Sequence, residues 1–183
     1  MVQVNAPYAA TPLLAGCLQA HGYEVAQADA ALELALRLFS RAGLAAVRRI
    51  VREKFHQRRP PAAVAHFLRH APAYLATVEP VVRFLQGRDP TLAHRIVSRR
   101  FLPEGPRFAA LDGPPSPCMP APPVPPAALA VHDQALHIAS LYLDDLSDVI
   151  RAGVDRRFAL ARHGESLALH APTFAPLARA LRA

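Results

Sequence analysis

The sequence has no tryptophan, two cysteines and one lysine in 183 residues. Each shortage excludes something. Cys17 and Cys118 lie 101 positions apart, which is neither a disulfide framework nor a metal-ligand spacing. A reducing, cytoplasmic location fits that usage. Long apolar runs are missing as well. The best window, Ala30 to Leu38, is broken by Glu33 and Arg37, well short of the roughly 20 residues that span a bilayer. The opening Met-Val-Gln-Val-Asn-Ala-Pro lacks the basic start and apolar stretch of a signal peptide. No membrane partner is expected. Gly-x-Gly-x-x-Gly and the Gly-Lys-Ser/Thr phosphate loop are both absent, which excludes the standard nucleotide cradles.

What is present is enough apolar residue, 52% of the chain, to bury a core. The formal charge is +7, carried by 20 arginines and Lys54. Arginine pairs recur at Arg48-Arg49, Arg58-Arg59, Arg99-Arg100 and Arg156-Arg157. A basic chain raises the question of nucleic acid. The arginine-for-lysine bias, together with abundant alanine and proline, reads instead as the residue usage of a GC-rich genome. The pairs are expected on solvated helix faces or in ion pairs, and nucleic acid is not an expected partner.

Along the chain, Val2-Gln3-Val4 opens as a short strand that Asn5-Ala6-Pro7 breaks. Thr11 before Pro12 predicts a helix start, with Leu13, Leu14, Cys17 and Leu18 at helical spacing and Gly22 as its stop. Tyr23 to Gln27 alternates as a strand does. Asp29 is expected to cap a helix through Arg41, with Gly43 just after it. The predicted fold class is therefore an α/β start, a partial Rossmann-like strand–helix–strand unit, joined to a predominantly α-helical remainder in an incomplete domain. Residues 1–43 form the cofactor-binding unit, 44–113 a helical region, 114–126 a Pro-rich connector and 127–183 a C-terminal helical region. Within 44–113 the helices are expected at Ala45–His56, Pro61–His70, Tyr74–Gln86 and Pro90–Phe101. Pro72 and Gly87-Arg88-Asp89 separate the last three. Eight prolines in thirteen positions make 114–126 an extended spacer. Two further helices are expected, Pro126–Ala152, closed by Gly153, and Pro172–Arg182. Sheets of the predicted kind bind ligands at the carboxyl ends of their strands. That rule selects Asn5, Ala6, Pro7, Tyr8 and Thr11 of the first loop, and Asp29 of the next turn, as cofactor-binding residues.

Two other constellations carry chemistry-bearing side chains. Asp133, His137, Ser140, Asp144 and Asp148 fall in a stripe about 80° wide on the long helix. Ile138, Tyr142, Leu146, Val149 and Ile150 lie on the other side. A metal or acid–base site would use such a stripe; the expectation is the solvated face of an amphipathic helix. His66 and His70 have chelating spacing, but no glutamate follows the first and no third ligand is evident, so surface histidines are expected.

The run Val4-Asn5-Ala6-Pro7-Tyr8-Ala9-Ala10-Thr11-Pro12, continuing to His21-Gly22-Tyr23-Glu24-Val25, resembles the amino-terminal segment of cobalamin-binding-domain radical SAM proteins. Gln27-Ala28-Asp29 through Phe39-Ser40 is similar to members of the same family. The resemblance implies that the Asn5–Thr11 loop lies against cobalamin, and that the chain is the cofactor-binding end of a larger enzyme. The family's radical chemistry needs a Cys-x3-Cys-x2-Cys triad for a [4Fe-4S] cluster, and this chain has none. S-adenosylmethionine and the cluster would therefore belong to a downstream region, and no catalytic or metal-ligating residue is assigned in this chain. The Asp-x-His-x2-Gly cobalt-ligand signature is absent too. The expected partner is the remainder of the radical SAM polypeptide. The alternative is a non-enzymatic helical protein-interaction module docking through an amphipathic face.

Overall fold

A computed structural model of the chain describes residues 10–26, 30–112 and 130–160. In them the chain forms α1 (Ala10–Ala20), α2 (Ala30–Leu38), α3 (Arg41–Lys54), α4 (Ala62–Leu85) and α5 (Leu92–Val97). A 3₁₀ turn at Pro106–Phe108 leads into the short α6 (Ala109–Asp112), and α7 (Val131–Gly153) follows. α7 is the centre of the bundle. Its buried residues include Leu136, Ile138, Tyr142, Leu146, Val149 and Ile150. A helix buried over more than half its circumference needs neighbours on several sides. α3, α4, α5 and the 3₁₀ turn supply them.

The α/β start is overturned: the described residues are helical and contain no β-strand. The first expected strand, residues 2–4, lies outside the described residues. The second does not form, since Tyr23 to Ala26 run without regular structure and are exposed apart from a half-buried Val25. Alternation is a local signal, whereas a strand exists only where a neighbour completes its hydrogen bonds. The helix between them is as expected in kind. It begins at Ala10, one residue ahead of Thr11, and ends in a Schellman motif. Gly22 N–H reaches Gln19 O at 3.0 Å and Tyr23 N–H reaches Leu18 O at 3.1 Å, with Gly22 at φ 83°.

Two further corrections concern helix ends. The helix expected to run through Arg41 stops at Leu38, and Ser40 starts another. Ser40 Oγ accepts the Gly43 N–H at 3.0 Å and donates to Arg37 O at 2.8 Å. Gly43 is thus in the first turn of α3 and stops nothing. A Cβ there would lie 2.1 Å from Arg37 O, so only glycine lets the end of α2 meet the start of α3. At Pro72 two expected helices merge into α4, with a kink at His70 (φ −106°, ψ 16°). Pro72 then stands in the first turn of the segment after the kink, where its missing N–H costs nothing.

α3 and α7 are locked at one end. A Cβ on Gly153 would fall 2.1 Å from Val51 Cγ1. Lys54 Nζ donates to Ala152 O at 3.1 Å and to Gly153 O at 3.0 Å, satisfying carbonyls that the end of α7 leaves open. The Pro-rich connector and the helix expected at 172–182 lie outside the described residues.

Candidate functional site

Chemistry-bearing side chains converge where the 102–108 segment crosses α7. Asp145 is the centre. It is 2% exposed although it carries a carboxylate. Oδ1 accepts the Arg107 backbone N–H at 2.9 Å. Oδ2 is buried with no hydrogen-bond partner among the described residues. Burial pushes the acid up to about 6; the Arg107 N–H opposes the rise, and the neighbouring Asp148 charge adds to it. Gly105 makes the approach possible, because a Cβ there would sit 2.3 Å from Asp145 Oδ2.

Around this acid the charges are paired. The Arg107 guanidinium holds Asp148 through Nε at 2.7 Å and Nη2 at 3.2 Å, and Arg151 adds a 2.6 Å contact to the same carboxylate. The Asp148 hydrogen bond keeps Arg107 firmly protonated. On the same segment Arg99, at φ 57°, forks onto Glu104 at 2.8 and 2.7 Å. It also bonds both oxygens of Asp112. Those bonds hold Asp112 below the usual carboxylate range.

Behind Asp145 lies a tyrosine pair. The rings of Tyr74 and Tyr142 stack with centroids 5.4 Å apart. Tyr142 donates to Tyr74 O at 3.2 Å, and its hydroxyl lies 3.0 Å from Thr77 Oγ1. Thr77 donates to Ala73 O at 2.8 Å. Burial raises both phenols well above the usual tyrosine range, so both stay protonated. The arrangement joins α4, α7 and the 102–108 segment. Chemically it offers one buried acid pushed up to about 6. A surface depression lies elsewhere, about 290 Å³ and widely open, lined by Leu36, Phe39, Ser40, Glu79, Val82 and Arg83. Glu79 there is committed to the Arg41 backbone N–H at 3.1 Å.

The sequence-selected residues fare unevenly. Asn5, Ala6, Pro7, Tyr8 and Asp29 lie outside the described residues, and Thr11 is placed only as backbone within α1. The stripe Asp133, His137, Ser140, Asp144 and Asp148 is half-buried throughout. It is not the solvated face expected, because neighbours cover α7 on that side also. Ser140 Oγ returns to Leu136 O at 2.9 Å, and burial lowers the His137 pKa. His66 and His70 stand with ring centroids 4.4 Å apart, and His66 Nδ1 is 3.3 Å from the Tyr74 hydroxyl. Burial, then the His70 and Arg69 charges, lower the His66 pKa. No group of three or more potential ligands gathers for a metal among the described residues. Asp145 itself was missed. The signal was there: it follows Ile138 by seven residues and Tyr142 by three, which sets a carboxylate beside Ile138 at the edge of the apolar side of α7.

Compared with known proteins, the chain matches no family model, no curated protein and no solved structure. No described helix is long and apolar enough to cross a membrane. The class established for the described residues is a helical bundle.

Proposed function

We propose that this chain is a helical, non-catalytic part of a cobalamin-dependent radical SAM enzyme, acting by docking onto the remainder of that enzyme. One observation carries the docking: α1 presents an uncovered apolar face. Leu13 is 74% exposed, and Leu14, Leu18 and Tyr23 are exposed with it. α1 has no charged residue, and Ala15 is its buried contact. Covering such side chains is worth about 1.5–3 kcal/mol for each one fully buried. The family is supported by where the resemblance lies, since residues 4–25 contain this same helix and its Gly22 stop. Cobalamin would meet the loop from Asn5 to Thr11, and Asp29. Radical chemistry would need the cysteine triad that this chain lacks. Titrating the full chain with hydroxocobalamin tests the cofactor: the expected result is a shift of the visible bands. An unchanged spectrum at high micromolar ligand rejects it.

The second reading is a non-enzymatic helical interaction module that uses the same face without cofactor. That Tyr23 to Ala26 form no strand among the described residues favours it. Concentration-dependent self-association in sedimentation runs, abolished by Leu13→Ser with Leu14→Ser while the cobalamin spectrum stays flat, is its expected signature. Unchanged self-association in that variant would reject α1 as the contact.

A further inference from the structure

Residues 41–59 hold seven of the chain's 21 basic side chains and one of its 14 acidic ones, so this segment alone carries +6 of the +7 net charge. The fold sorts the arginines into two populations. Arg37, Arg99, Arg107, Arg151 and Arg157 pair with carboxylates. Arg48, Arg49 and Arg52 of α3 make no ion pair among the described residues, nor does the Arg41 guanidinium. On α3 these four fall within about 100° of arc, beside the face that Leu44, Val47 and Val51 bury. Ala45 lies within that arc, Ala42 at its edge and Ala46 beyond it, all exposed and short. The acidic groups nearby are Glu53 on α3 itself and Glu79, which faces its first turn.

We propose that this face of α3 binds the phosphate backbone of duplex DNA without reading its sequence. Four guanidiniums on one rigid helix match a polyanion that carries a charge every ~1.7 Å, and each offers the planar fork that suits phosphate. The short alanines let a backbone come close. A single strand is a poorer match, because no exposed aromatic on α3 offers its bases a stacking platform. A protein partner would need a desolvated anchor, and the exposed large apolar side chain on α3 is Ile50 alone, at 36%. An anionic membrane would need an apolar face to enter it, and that of α3 is spent in the core.

The test is fluorescence anisotropy of the full chain with a random labelled duplex across a salt series. Four phosphate contacts predict a slope of about −3.6 in log K against log salt, a loss of about 100-fold between 50 and 200 mM. Arg41→Gln, Arg49→Gln and Arg52→Gln together should reduce that loss to about fourfold. Arg69→Gln, Arg88→Gln and Arg100→Gln together remove the same charge elsewhere and should leave the slope unchanged. All six side chains are exposed, and circular dichroism checks the fold of both variants. The proposal is overturned by a shallow slope in the unsubstituted chain or by equal effects of the two triple variants. Polyglutamate or phosphatidylserine vesicles competing as well as duplex would overturn it too, pointing instead to an acidic protein or a membrane surface.

Discussion

Replacing Asp145 by Asn should reverse part of this protein's response to acid. Asp145 has its pKa raised from 3.8 to about 6 in the fold, mainly by burial. A group raised on folding stabilises most fully below its unfolded pKa, and that contribution is lost as pH rises through the folded value. The window is therefore pH 3.8 to about 6. A shift of that size corresponds to about 3 kcal/mol over the full titration, of which about 2 kcal/mol falls between pH 4 and 7.5. Asn keeps an acceptor for the Arg107 N–H and cannot ionise. Urea unfolding of both proteins across this range gives the difference in stability, in which every other titrating group cancels. Relative to the unsubstituted chain, the variant should gain about 2 kcal/mol as pH rises from 4 to 7.5, whatever its offset. A difference that stays flat with pH would refute the burial of this carboxylate.

Three simpler substitutions probe this and two other close contacts of the fold. Gly105→Ala drives a methyl into the Asp145 carboxylate and should cost about 1–3 kcal/mol by overpacking, read from the urea midpoint. Gly153→Ala meets Val51 in the same way, and thermal unfolding should register a similar loss at the α3–α7 crossing. Removing the cap of α3 with Ser40→Ala should cost about 1 kcal/mol. An unchanged midpoint in any of these would contradict the corresponding contact.

Helix content was largely legible because it rests on local signals. The Leu13–Leu18 spacing, the Gly22 stop, the apolar face of α7 and its Gly153 end can all be read without neighbours. Ser40 shows how a local signal can be overlooked: it is a good cap, but a longer apolar periodicity through Phe39 hid the break. The candidate site was less legible. The half-buried stripe on α7 and the wholly buried Asp145 differ in which neighbours cover them, and those come from distant segments, as in the contact of Arg107 with Asp145, 38 residues apart.

The sequence by itself determined that most of the chain is helical and where some helices stop, as at Gly22, since capping, proline geometry and glycine's freedom act within a few residues. It also determined the charge of residues 41–59. Tertiary structure decided that Tyr23 to Ala26 find no strand partner among the described residues, because pairing needs a second chain segment at the right distance. It decided which arginines meet carboxylates, that Arg41, Arg49 and Arg52 stay exposed on α3, and that Arg48 is half-buried beside them. It also decided that Asp145 must hold its charge away from water, because only packing can remove the water.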